Sequence, residues 1–246
     1  MKIPNGQIPG GNRGPVIVTR PHSAAEKTVL ALKERGYDVC HIPVQYLTSV
    51  APLQTDFDQA AYIFTSPNGV YFSKDFNLNR QALVFTVGDA TAKAAKTAGF
   101  THIICGAGQA QSLLPLIDDR KVSRVIHFSG RHVAFDLVGA LNDHGGVEAA
   151  RAVCYEAKIS ENLSEMITGA LPTDGGVVLF YSARAAQAFE KGVQAAHMGD
   201  KLAHMQAVVL SDRIQKALSL TWAGIHCAAQ PTEDAMLKVV DTIYGK

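Results

Sequence analysis

Short unbroken apolar runs alternate along this chain with stretches in which apolar positions recur every three or four residues, the pattern of buried parallel strands separated by amphipathic helices. Residues 16–19, 61–64, 83–87, 103–105, 125–128, 177–180, 206–210 and 225–228 read as strands. After the first of these, Ser23, Ala24, Ala25 and Glu26 have the form of a capping box; Ala25, Val29 and Leu32 then share one face before Gly36 stops the helix. Further helical patterns follow Pro67, Gly88 and Ser182, and Phe135, Val138 and Leu141 mark another that Gly145-Gly146 ends. Residues 109–117 read as a helix whose second half Pro115 weakens. Crossovers this short between strands predict parallel pairing, hence an α/β fold.

Two stretches break the alternation. Residues 38–42 form a strand that Pro43 interrupts, yet 44–47 stay extended; residues 148–159 form a long extended run centred on Tyr155. Both read as passages from one lobe to another. The turn, helix and strand from Gly88 to Cys105 have the same length as those from Ser211 to Ala228, and residues 16–36 resemble 125–145. Their order is permuted, so the first strand-helix unit most simply completes the C-terminal set. The expected architecture is therefore two similar parallel-sheet α/β lobes joined by a two-stranded linker, one lobe inserted into the other. Its boundaries are a discontinuous lobe of 15–42 plus 158–246, an inserted lobe of 48–150, and linker strands at 43–47 and 151–157. Residues 1–14, rich in glycine and proline, read as a flexible N-terminal tail.

Composition narrows the partners. The 23 basic and 22 acidic side chains nearly cancel, so no global field draws the chain to nucleic acid or anionic lipid, and any anion site must be local. No apolar run is long enough to span a bilayer and the start lacks the form of a signal peptide, so the expectation is a cytoplasmic protein. Cys40, Cys105, Cys154 and Cys227 are far apart and mostly inside apolar runs, which predicts buried thiols. The nine histidines show no HxH or HExxH spacing, so no metal is expected, and His127, inside a strand pattern, reads as a packing residue or as the partner in a strand-end hydrogen bond.

The chemistry-bearing stretch is Phe64-Thr65-Ser66-Pro67-Asn68-Gly69-Val70, where a strand runs into hydroxyl residues and then a helix. Pro67 suits the first helical turn, so Thr65 and Ser66 sit beside free backbone N–H groups that suit an anionic ligand. Phe180-Tyr181-Ser182-Ala183-Arg184 is a weaker copy. Arg20 and Arg131 each follow a strand, at the edge where open α/β sheets bind ligands. Each candidate also has a plainer reading: Thr65, Ser66 and Thr91 as helix caps, Tyr155 as a packed aromatic, the arginines as solvated charges.

In order and spacing, VTRP at Val18 to Pro21, IP at Ile42-Pro43, FTSPNGV at Phe64 to Val70, VGDAT at Val87 to Thr91, FSG at Phe128 to Gly130 and VCYEA at Val153 to Ala157 resemble the uroporphyrinogen-III synthases. The resemblance implies two lobes with the site in the cleft between them, and cyclisation of hydroxymethylbilane to uroporphyrinogen III with inversion of ring D, loss of water and no cofactor. It implies Tyr155 as the acid assisting departure of the hydroxyl. The substrate contacts it brings forward are Arg20, Thr65, Ser66, Thr91, Ser129, Arg131, Ser182, Ala183 and Ser211. At Leu210-Ser211-Asp212-Arg213 the chain departs from the family pattern, since Asp212 repels a carboxylate unless Arg213 offsets it. The expected partner is hydroxymethylbilane, with a transient contact to the preceding pathway enzyme, no nucleic acid, no membrane, and a monomeric state. The rival readings are a non-catalytic two-lobe anion-binding protein and a degenerate synthase serving as an interaction module.

Overall fold

The computed structural model describes residues 14–52 and 56–246; the expected tail at 1–13 lies outside them. The strands are β1 (Val16–Val18), β2 (Val39–His41), β3 (Gln45–Ser49), β4 (Ala61–Phe64), β5 (Leu83–Thr86) and β6 (His102–Cys105), followed by β7 (Arg124–Gly130), β8 (Glu148–Ile159), β9 (Gly176–Phe180), β10 (Met205–Val209) and β11 (Gly224–Cys227). The helices are α1 (His22–Glu34), α2 (Pro67–Phe72), α3 (Asp89–Thr97), α4 (Leu113–Asp119), α5 (Leu137–His144), α6 (Leu163–Ala170), α7 (Ala183–Ala195), α8 (Asp212–Gln215) and α9 (Glu233–Ile243). The chain divides into two compact units, one running to Tyr46 and resuming at Lys158, the other spanning Leu47–Ala157. The crossings fall inside β3 and β8.

The terminal unit holds a five-stranded sheet in the order β11-β10-β9-β1-β2, parallel throughout. Alternate residues go to opposite faces, and both faces are covered. Ile17, Val178, Phe180, Ala207 and Val209 pack with α6 and α7, while Val16, Val18, Val177, Leu179 and Val208 pack with α1 and α9. That double burial is why these strands read as unbroken apolar runs.

The 47–157 unit is built around the order β3-β8-β7-β4-β5-β6, with β4, β5, β6, β7 and β8 joined by parallel pairings. One face buries Tyr62, Phe64, Val84, Ile126 and Phe128 under α2 and α3; the other buries Ala61, Ile63, Phe85 and Val125 under α4 and α5. Setting β9, β10 and β11 on β4, β5 and β6, and β1 and β2 on β7 and β8, makes the two orders coincide, with β3 left over. In each sheet the chain therefore leaves two adjacent central strands toward opposite edges, which makes the C-terminal ends of β4 and β7 here, and of β9 and β1 in the terminal unit, the places where open α/β sheets bind ligands.

Phe128 is the hub of the first face. It is fully buried and its ring lies 5.3 Å from Phe57 and Phe64 and 5.5 Å from Tyr62. Truncation to Ala is expected to cost about 3–5 kcal/mol, read as a shift of the urea unfolding midpoint.

Several local expectations change. Helix α1 starts at His22 with Pro21 in the capping position, so the motif beginning at Ser23 lies inside the helix. Pro115 occupies the first turn of α4, after a single 3-10 turn at Ala110–Ser112, where its missing N–H costs nothing. Phe135 precedes α5, whose buried residues are Leu137 and Leu141. Helix α6 had no counterpart in the pattern reading, because Leu163 and Ile167 are its only buried positions. Of the four thiols only Cys154 is buried, and burial pushes its pKa up to about 11; Cys105 ends an edge strand and is exposed.

Candidate functional site

A cavity of about 390 Å³ opens at the C-terminal ends of β4 and β7, lined among others by Thr65, Ser66, Gly108, His127, Ser129 and Tyr155. It lies wholly within the 47–157 unit, at the crevice that the strand order creates. Among the described residues its lining contains no aspartate, glutamate, lysine or arginine. Polar donors here are hydroxyls, amides and imidazoles.

Ser66 turns the strand into the helix. Its backbone is extended, its Oγ accepts from Gly69 N at 3.3 Å, and Pro67 supplies the first helical residue. Gly69 has to be glycine for a packing reason: a Cβ there would lie 2.6 Å from the carbonyl oxygen of Phe128. Helix α2 therefore sits tight on β7 and fixes where the hydroxyls point. Ser66 Oγ is 3.1 Å from the Tyr155 hydroxyl, and Thr65 Oγ1 is 2.9 Å from His127 Nε2. Two consecutive residues after β4 are thus each fastened by a side chain from β7 or β8.

Tyr155 reaches the cavity through a register shift. Ser129 pairs with Val153, but Gly130 pairs with Tyr155, so β8 carries an extra residue at this point. The Tyr155 ring then covers Gly130, whose imagined Cβ would meet Cε2 at 2.7 Å. The ring also stacks on Phe72, with centroids 5.1 Å apart and planes 22° from parallel. The phenol is held in a slot. Below it, Arg151 Nε donates to Ser129 Oγ at 2.8 Å, and its Nη2 donates to the carbonyls of Gly130 and Arg131. Engaging those carbonyls with one guanidinium rigidifies the turn at the end of β7.

His127 is 2% exposed. Burial, reinforced by the charge of Arg151, lowers its pKa from 6.5 to about 4. An unfolded chain binds this proton at higher pH than the folded one, so stability falls as pH drops from about 6.5 to about 4, by roughly 3 kcal/mol when complete. The expected result is that H127Q, measured by urea unfolding against the parent protein, loses less stability between pH 7 and pH 4.

The other expected site residues separate into three groups. Thr65, Ser66, Ser129 and Tyr155 line the cavity together. Arg131 pairs with Glu156 at 2.7 Å and Thr91 is buried in the first turn of α3; neither is among the lining residues. In the terminal unit, Arg20 stacks 4.3 Å over the Tyr181 ring and donates to Thr28 Oγ1 at 3.2 Å, with Glu233 at 3.5 Å. Its charge is spent inside its own unit. Ser182 caps α7 by accepting from Ala185 N at 3.1 Å, and Ala183 is the first helical residue. Ser211 precedes the four-residue α8 without a side-chain cap bond, and Asp212 hydrogen-bonds Cys227, helping to raise that thiol's pKa after burial.

Sequence reasoning missed His127, Gly130, Phe72 and Arg151 as site components. Among the described residues no group of three or more His, Cys, Asp or Glu side chains could hold a metal ion, and no helix is long and apolar enough to cross a membrane.

A family model described as uroporphyrinogen-III synthase HemD matches residues 26–238. Among solved structures, the chain is similar to uroporphyrinogen-III synthetase from Helicobacter pylori, with TM-score 0.67 and 17% identity over 94% of this chain and 99% of that one. A mutant uroporphyrinogen III synthase from the extremely thermophilic bacterium Thermus thermophilus is similar with TM-score 0.50, at 17% identity over 94% and 98% of the two chains. No curated protein sequence matches. At these identities the solved structures speak for the two-lobe fold, and the family model, spanning most of the chain, speaks for kinship.

Proposed function

Because the chain belongs to the uroporphyrinogen-III synthase family, enzymes that close hydroxymethylbilane to uroporphyrinogen III, we propose that the cavity between the ends of β4 and β7 holds the reacting end of that substrate. The observation that carries this reading is the Tyr155 hydroxyl, 3.1 Å from Ser66 Oγ, on a ring that packs against both Gly130 and Phe72. The phenol O–H donates to the departing hydroxyl oxygen, the carbon–oxygen bond breaks, and water leaves an azafulvene cation. The substituted carbon of ring D attacks that cation, giving a spiro intermediate that rearranges with ring D inverted. Most of this reactivity belongs to the pyrroles, so the protein contributes mainly by holding the folded conformer. Thr65 and Ser66 offer neutral hydroxyl donors to its carboxylates, and Ser129, whose hydroxyl donates to Gly130 O at 3.2 Å, lines the cavity beside them. In their own unit, Ser182 and Ala183 offer amide N–H groups at the start of α7, and we keep these within the proposal. Arg20 is assigned to its Glu233 pair instead.

The near cancellation of 23 basic and 22 acidic side chains supports a protein with neither nucleic acid nor anionic membrane as partner, and we place it in the cytoplasm. A monomer that meets the preceding pathway enzyme only transiently completes the proposal. The test generates hydroxymethylbilane in situ, oxidises the products and separates the type I and type III isomers. The protein is expected to give type III, and Y155F to lower its rate about 10- to 100-fold while type I from spontaneous closure rises. An undiminished type III rate in folded Y155F removes the acid role from Tyr155.

A further inference from the structure

His127 does more than fill space. It sits in β7 between Ile126 and Phe128, in a strand buried on both faces, where an apolar side chain of similar size would serve packing alone. A buried polar ring is costly unless its nitrogens are bonded, and the partner of its Nε2 is the hydroxyl of Thr65. On β4 the registry partner of His127 is Ile63, so the ring has to lean toward the C-terminal edge of the sheet to reach Thr65. Both residues line the cavity.

A hydroxyl has one proton to give, and the imidazole decides where it goes. If Nε2 carried no proton, the Thr65 O–H would be spent on it and only lone pairs would face the cavity. An anionic ligand needs the opposite arrangement. We propose that His127 is a positioning residue for ring closure, its Nε2–H donating to Thr65 Oγ1 so that the Thr65 O–H turns outward to a carboxylate of the bound substrate. The inference rests on the reading of this cavity as the substrate site. Burial and the neighbouring Arg151 charge keep the ring neutral down to about pH 4, so across the working range the direction of donation is set by the tautomer, and the proposal requires the Nε2–H form. Gln at 127 can place an amide N–H near the position of Nε2, whereas Phe keeps the volume and removes the donor.

The test compares T65V, H127Q, H127F and the double variant H127F/T65V in the isomer assay. H127F is expected to raise the KM for hydroxymethylbilane about tenfold with a smaller change in kcat, and H127Q to stay within about threefold of the parent. The double variant should be no worse than T65V alone, since His127 acts through Thr65. Losses that multiply, or an H127Q as impaired as H127F, overturn the proposal. A T65V with parental KM, or a parent protein that yields only type I, overturns the site reading beneath it instead. Nitrogen-15 NMR of the parent protein decides independently should H127F fail to fold: an Nε2–H tautomer supports the proposal, and an Nδ1–H tautomer contradicts it.

Discussion

Alanine at position 130 is expected to lower type III synthesis about a hundredfold, as much as or more than losing the Tyr155 hydroxyl. The added methyl would lie 2.7 Å from Cε2 and 2.8 Å from Cζ of Tyr155, closer than a real Cβ approaches any carbon. Phe72 stacks on the same ring, 5.1 Å between centroids, and restricts where it can move. Tyr155 must therefore rotate, taking its hydroxyl away from Ser66 and from the reacting centre. Overpacking of this kind also costs about 1–3 kcal/mol of stability, so the isomer assay is paired with a urea midpoint to show that the loss occurs in folded protein. A folded G130A with the parental type III rate would mean that the slot does not set the phenol.

A large stability effect is also expected in the terminal unit, at Glu190. This side chain is 3% exposed, yet its carboxylate accepts from Ser219 N at 2.8 Å, Ser219 Oγ at 2.8 Å, Leu220 N at 3.0 Å and Trp222 Nε1 at 2.9 Å. It ties the segment after the short α8 to α7 before the chain enters β11. E190A leaves the buried Trp222 indole N–H without an acceptor and releases the part-buried Ser219 and Leu220 amides from α7, and at about 1–3 kcal/mol for each unsatisfied buried group the loss is expected to reach roughly 3 kcal/mol. That is a large share of a typical domain's stability of about 5–15 kcal/mol, and the urea midpoint should fall accordingly. An E190A as stable as the parent would show that the segment is held by its apolar contacts alone.

Most of the fold was legible because the core strands of both sheets pair in parallel and are covered on both faces. Runs such as residues 61–64, 125–128 and 177–180 are apolar at nearly every position for that reason, and glycines such as Gly36 and Gly99, both at positive φ, punctuate the helices. The permuted repeat was visible because equal strand-to-strand spacing survives sequence divergence. Helix α6 was not, since two buried positions give no periodicity to detect. The site was legible to the extent that strand ends collect residues: Thr65, Ser66, Ser129 and Tyr155 meet at one cavity. What stayed hidden depends on lateral neighbours. A histidine inside an apolar run looks like packing until Thr65 is seen 2.9 Å away. Gly130 acquires its meaning only from the register shift that brings Tyr155 over it, and Arg151 only from being the partner of His127 across the β7–β8 pair. For Arg20 the hidden neighbour is Glu233, its ion-pair partner at the far end of the chain.

The most direct test of the proposed site is an amide chemical-shift titration of nitrogen-15-labelled protein with uroporphyrinogen III under anaerobic conditions. The largest shifts are expected at Ser66, Ser129, Gly130 and Tyr155, around the crevice between β4 and β7. Saturable binding that leaves those amides unmoved would contradict it.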